Sequence, residues 1–385
     1  MTRSILRNSI LLAVLLYAFT TFLSAQRLNT LYSFAGSDGA QPYAGLVQGS
    51  DGNFYGTTYQ GGANGEGAVF KITPSGTLTT LYSFAGGDGA YPVAGLVQGS
   101  DGNFYGTTSA DGGTIFKITP SGTLTTLYKF GGSDGALPYA GLVQGSDGNF
   151  YGTTYYGGAN DLGTVFKISP GGTLTTLYSF AGRDGAQPYG GLVQGSDGNF
   201  YGTTELGGVN GPDPGTIFKI TPSGTLTTLY SFFFIDGWHP LAALVQGRDG
   251  NFYGTTVDGG QYELGNIFKI TPGGTLTTLH SFAGGDGAQP GAALVQASDG
   301  NFYGTAIDGG GYGVGTAFKI TPTGTLTTLY TFVGADGALP RAALVQGSDG
   351  NFYGTTSSGG ANDAGTVFRL GVVRSCATCR AVSWR

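Results

Sequence analysis

Histidine, cysteine and methionine are nearly absent from this chain: 385 residues carry two His, two Cys and one Met. Both cysteines, Cys376 and Cys379, lie in the C-terminal tail. That excludes an interior disulfide framework, so packing and strand pairing must hold the fold. A structural zinc site needs four ligands, and the tail offers two thiols and no His. The spacing calls for no cofactor. Charge is scarce as well. Charged residues make up 10% of the chain, 17 basic against 23 acidic, for a net −6. With no basic run or face, nucleic acid is not an expected partner. Long apolar runs are missing except at the start. Residues 10–23 are apolar apart from two Thr, follow Arg3 and Arg7, and lead into Leu23-Ser24-Ala25. This is the layout of a secretory signal peptide over residues 1–25, too short for a comfortable membrane span. The expectation is a secreted or cell-surface protein with no transmembrane span once the leader is removed.

Glycine and aromatics are what the chain has in quantity: 75 Gly, 25 Phe and 23 Tyr. Such glycine content alone would suggest low complexity, but disordered segments lack aromatics, and here both recur with a period. The phrase Asp-Gly-Asn-Phe-Tyr-Gly-Thr begins at Asp51, Asp101, Asp147, Asp197, Asp249, Asp299 and Asp349. Subtraction gives steps of 50, 46, 50, 52, 50 and 50 residues. A period of this size marks a repeat architecture.

One repeat, residues 77–126, reads as four short strands. Residues 77–84 (TLTTLYSF) form one. Residues 96–98 (LVQ), 104–108 (FYGTT) and 115–119 (IFKIT) form the others. Asp101-Gly102 supplies the positive φ angles of a tight turn. Radial repetition of four-stranded antiparallel sheets gives an all-β β-propeller. A solenoid competes, but its coils are shorter and rarely carry two hairpin turns per period. We name the strands of a blade A (LVQ), B (NFYGTT), C (VFKIT) and D (TLTTLYSF). The chain opens with a lone D-like strand at 28–34 and ends with an A–B–C set at 344–370. The first strand can therefore complete the last blade and close a seven-bladed ring, pairing 28–34 with 366–370. The expected domains are a signal peptide (1–25), a propeller (26–371) and a short tail (372–385). A pair of small residues precedes each strand A, from Ala44-Gly45 to Ala342-Ala343. Strand A is expected near the axis, where blades crowd.

The run LVQGSDGNFYGTT…GG…GTVFKITPSGTLTTLYSF resembles the GloVer-type (Gloeo/Verruco) tandem-repeat family of exported bacterial proteins, over roughly residues 28–370. The resemblance implies a secreted or surface-displayed repeat protein and no reaction. The tail departs from that family, with no apolar span and no sorting motif in residues 372–385. Kelch repeats and the propeller sensors of two-component receptors are similar more weakly.

Alternating strands put the A–B and C–D turns on one face and the longer D–A and B–C loops on the other. Most variation between repeats falls in the second set, so a binding site is expected there. Asp38, Asp88, Asp134, Asp184, Asp236, Asp286 and Asp336 recur in the D–A loops. They read as turn formers, with a calcium ring as the competing reading. Tyr43, Tyr91, Tyr139 and Tyr189 come one per D–A loop, and Tyr59, Tyr155, Tyr156, Tyr262 and Tyr312 belong to B–C loops. The D–A loop that breaks the pattern, FFIDGWHPL, carries Trp238 and His239. Aromatic faces beside amides and hydroxyls suit a carbohydrate or protein ligand. Asp258 and Asp308 each precede Gly-Gly in adjacent B–C loops. With Asp111, Glu205 and Glu263 they are the carboxylates a polysaccharide-active enzyme would use. No catalytic residue is assigned and catalysis is the less favoured reading. His280 replaces the Tyr of a D strand, which points to packing. The reading is a noncatalytic binding or interaction module; a polysaccharide hydrolase or lyase and a purely structural repeat protein stay open.

Overall fold

A computed structural model describes residues 27–211 and 214–371. The expected signal peptide (1–25) and tail (372–385), with Cys376 and Cys379, lie outside the described residues. The fold is a seven-bladed β-propeller of four-stranded antiparallel sheets. Blade 1 runs from strand A (Val47–Gln48) through B (Phe54–Thr58) and C (Ala68–Ile72) to D (Leu78–Ser83). Among the described residues there is no α-helix, and only one 3₁₀ turn, Ala110–Gly112.

The ring closes as the repeat phase requires. The first strand, Leu28–Ser33, pairs antiparallel with Thr366–Leu370, in register from Leu28↔Leu370 to Ser33↔Thr366. The N-terminal segment is thus strand D of blade 7, and strand C of that blade is covered like the other six.

Strand limits differ from the sequence expectation by a residue or so. Strand C of blade 2 is Thr114–Ile118. Thr119 N instead donates to Thr123 O (3.0 Å) and opens the C–D turn. Strand D ends at Ser83, because Phe84 N leaves the ladder for Gly67 O (3.0 Å). Strand A is two residues, Val97–Gln98, without Leu96, and Gly99 N then closes the turn on Asn103 O (2.8 Å). Each C–D pair also carries a bulge. In blade 1, Val69↔Tyr82 is followed by Phe70↔Thr80, leaving Leu81 unpaired. Such bulges increase local twist.

Packing is interblade. Tyr55 of strand B stacks on Phe104 of the next blade, with ring centroids 4.0 Å apart. The contact repeats around the ring and closes where Tyr353 meets Phe54, also at 4.0 Å. Both side chains are fully buried. The strand-B glycine that follows each Phe-Tyr pair has a purpose too. A Cβ on Gly56 would lie 2.7 Å from Phe70 Cζ, so the strand-C ring covers the glycine. The axis is as crowded as expected: a Cβ on Gly45 would sit 2.9 Å from Ala343 O.

Candidate functional site

The recurrent aspartates are consumed by structure. Asp38 Oδ1 accepts Ala35 N at 2.8 Å, and Oδ2 accepts the Tyr32 hydroxyl. The same pair of bonds holds every D–A loop, with one change: in blade 5, His280 Nε2 meets Asp286 Oδ2 at 2.7 Å. His280 is thus a tether in place of tyrosine. In the A–B turn, Asp51 accepts Asn53 N (3.1 Å), Asn53 Nδ2 (2.7 Å) and the Tyr55 hydroxyl (2.9 Å). Burial opposes ionisation of Asp51, but these donors and Lys71 outweigh it and hold its pKa below the usual value. No group of three or more His, Cys, Asp or Glu able to hold a metal ion occurs among the described residues.

The D–A loops share one strained position. The residue before each loop proline is left-handed: Gln41, Tyr91, Leu137, Gln187, His239, Gln289 and Leu339 have φ between 53° and 56°. A residue before proline normally avoids helical dihedrals of either hand. Backbone bonds on both sides enforce it here. Gln41 N donates to Ala364 O of the preceding blade (2.9 Å), and Tyr59 N donates to Gln41 O (3.0 Å).

The residue after each proline faces the axis. Tyr43, Val93, Tyr139, Tyr189, Leu241, Gly291 and Arg341 occupy this position in blades 1 to 7, and with Ile307 they line a cavity of ≈ 390 Å³. One crescent is aromatic. Tyr43 packs on Tyr59 (5.0 Å), Tyr139 on Tyr155 (5.2 Å) and Tyr139 on Tyr189 (5.4 Å). The other is aliphatic, from Leu241, Ile307 and the gap at Gly291. The Arg341 guanidinium lies 5.9 Å from the centre of the Tyr43 ring, a cation–π distance. Burial is the main cause that raises the phenol pKa values of Tyr139, Tyr155 and Tyr189. Tyr155 is raised further by the charge of Glu205, which accepts its hydroxyl. At neutral pH these phenols are protonated donors.

Of the residues singled out in the sequence, Tyr43, Tyr139 and Tyr189 share this cavity. Tyr91 does not. Its loop places Val93 at the axial position, and Tyr91, two residues earlier, stacks on Tyr59 at 5.2 Å. Trp238, His239 and Asp258 meet in blade 5, outside the cavity lining. Trp238 N bonds Asp258 O (2.9 Å), and the carboxylate Oδ2 lies 3.0 Å from His239 Nδ1. The Trp238 and His239 rings are 4.6 Å apart. Asp308 holds the equivalent place in blade 6, where its backbone pairs with Ala288. Arg341 was missed by sequence reasoning, although aligning the loops on their prolines would have exposed its position. Another hollow, of ≈ 530 Å³, is more peripheral and is lined by Leu162, Arg183, Leu206 and Val209 among others.

The sequence profile of the Gloeobacter/Verrucomicrobia repeat matches residues 15–143, 110–246 and 192–380. The chain belongs to this family. Among proteins of curated function, no sequence matches. Solved structures similar to this Gloeobacter/Verrucomicrobia repeat protein include a streptogramin B lyase, at 18% identity and TM-score 0.65, covering 90% of this chain and 98% of that one. Another is a catalytically inactive variant of virginiamycin B lyase from Staphylococcus aureus with quinupristin. It has 18% identity and TM-score 0.64, covering 90% of this chain and 99% of that one. At this identity the likeness is one of fold. Among the described residues no helix is long and apolar enough to cross a membrane.

Proposed function

We propose that this protein is an exported, noncatalytic binding module that takes a carbohydrate or protein ligand in the axial cavity of its loop face. The unit would be the propeller of residues 26–371, delivered by the 1–25 leader and followed by the tail 372–385. One observation carries the reading: three tyrosines and an arginine converge on one cavity, each from the position after a D–A loop proline, which varies from repeat to repeat. Pockets of this size and mixed lining suit small ligands. The test is a glycan-array and protein-ligand screen of the mature protein beside Tyr139→Ala and Trp238→Ala. Binding that Tyr139→Ala weakens at least about tenfold, and Trp238→Ala spares, supports the axial cavity. Binding indifferent to Tyr139 would refute it.

A second reading, catalysis at blade 5, has one observation in its favour. His239 Nδ1 is anchored by Asp258 (3.0 Å), which is how a carboxylate orients an imidazole for acid–base work. Against it, Asp258, Asp308 and Glu263 are not part of the cavity lining. Turnover of any polysaccharide that His239→Ala abolishes would establish this reading over the binding one.

A further inference from the structure

We infer that the axial cavity recognises the carboxylate of an acidic sugar, a uronate residue, with Arg341 as its counter-ion; this rests on the binding reading above. Three features of the cavity specify the ligand together. Tyr43, Tyr139 and Tyr189 offer ring faces, and Tyr139 and Tyr189 add protonated hydroxyls, the combination that fits the C–H face and hydroxyls of a pyranose. Arg341 is the one cation of the lining, in a chain with only 17 basic residues. Its guanidinium sits over Tyr43 and has no ion-pair partner among the described residues. A planar fork held in place by an aromatic ring is preorganised for bidentate capture of a carboxylate.

The backbone argues against a peptide in the same place. Main-chain groups of the loops around the cavity are committed to one another. Ala40 N bonds Gln60 O (2.8 Å), Gln60 N bonds Ala40 O (3.0 Å) and Tyr59 N bonds Gln41 O (3.0 Å). None of the lining residues belongs to a strand, so no strand edge faces the cavity for a peptide to extend. Recognition therefore falls to side chains, and those present are aromatic platforms, an aliphatic arc and one guanidinium. Glu205 adds a sign to the geometry. It comes from blade 4, and the Tyr189 phenol feels its charge together with the opposite charge of Arg341. A carboxylate is directed away from Glu205 and toward Arg341, which fixes the sugar's orientation.

The experiment is titration calorimetry of the mature protein with an oligogalacturonide, its methyl ester and the neutral galactose oligomer, plus a peptide with a free C-terminal carboxylate. Wild type is expected to bind the acid at least about tenfold tighter than the ester, as a charge-assisted bond allows. Arg341→Gln should erase that difference, chiefly through an affinity for the acid lowered at least about tenfold. Arg341 is exposed, so the variant should melt like wild type. Equal affinity for acid and ester, or discrimination that survives Arg341→Gln, would overturn the uronate assignment. If neutral sugars still bind in that case, the binding reading stands without it. Arg341-dependent capture of the peptide with no sugar bound would also overturn the assignment. Failure of every sugar and protein probe would remove both readings.

Discussion

On the turn face of the ring, seven copies of Asp-Gly-Asn do one job; on the loop face, equivalent positions carry Tyr, Val, Leu, Gly and Arg. The turn face is fixed because each repeat there also serves its neighbour. Gln98 Oε1 accepts Ser50 N of the preceding blade (2.9 Å), and the same bond runs round the ring until Gln48 accepts Ser348 N (2.9 Å). Where Arg248 replaces the serine, its backbone N keeps the bond to Gln296 (2.9 Å). A change at one turn therefore touches two blades. On the loop face a Tyr–Asp or, once, a His–Asp tether holds each D–A loop, but beside the proline the backbone makes the interblade bond, as from Gln41 N to Ala364 O (2.9 Å), and the side chains flanking the proline are released. A site can be varied cheaply only where main chain, not side chain, holds the architecture.

The strongest way to break this comparison is to remove the strand on which both faces depend. Deleting residues 26–34 leaves Thr366–Leu370 as an open edge in a three-stranded blade. An open edge templates association. The expected product is aggregated or oligomeric by size-exclusion chromatography, and a soluble monomer would contradict ring closure.

Alkali attacks both faces together, and its sign is fixed. The hydrogen bond to Asp38, then burial, push the Tyr32 phenol from 10.0 up to about 12. Burial, then the Asp51 bond, raise Tyr55 on the turn side. A raised folded-state pKa means the contribution is complete below pH 10 and is lost as pH climbs through about 12. The opposite sign holds for the lowered Asp51 and its equivalents: their contribution is present above 3.8 and lost as pH falls below it. Cooperative unfolding is thus expected between pH 10 and 12, with tyrosinate absorbance and circular dichroism changing together. Titration of Tyr32 and its tethered equivalents near 10 while the fold stays intact would contradict the Tyr–Asp tethers.

Core truncation comes next. Phe54→Ala should cost roughly 3–5 kcal/mol in denaturant unfolding, and so should Phe200→Ala. Phe54 packs on Tyr353 across the closure (4.0 Å), whereas Phe200 packs on Tyr151 between consecutive blades (4.0 Å). Equal losses mean the closing interface is as tight as the others. A much smaller loss for Phe54→Ala would mean that the ring opens there. A milder change, Gln98→Ala, removes acceptance from Ser50 N and donation to Gly102 O (3.1 Å). About 1 kcal/mol should be lost.

The fold was legible because the period, the turn residues and the offset of the D strand are all properties of one repeat or of their count. The cavity was half legible. Tyrosines announce themselves in a sequence, so Tyr43, Tyr139 and Tyr189 were found, but Tyr91 was grouped with them although it stands two residues out of phase. Arg341 looked like an ordinary surface charge, since only the ring brings it over Tyr43, at 5.9 Å. The glutamine ladder was invisible for the same reason. It joins residues 48 apart, such as Ser50 and Gln98, and nothing in a single repeat shows that they touch.

The loop face also yields the smallest effect, and the one with the opposite sign. Gln289 is left-handed (φ 54°) ahead of Pro290. A non-glycine residue there loses about 1–2 kcal/mol, while glycine loses about 0.5–1 kcal/mol more entropy on folding. The backbone bonds that impose the conformation, Gln289 N to Leu264 O (2.9 Å) and Ile307 N to Gln289 O (3.2 Å), need no side chain. Gln289→Gly should therefore raise stability by about 0.5 kcal/mol, measured against Gln98→Ala in the same denaturant series. A loss instead would show that the Gln289 side chain helps to hold its loop. The separation between a face fixed by side chains and a face fixed by main chain would then fail at the positions where it is drawn most sharply.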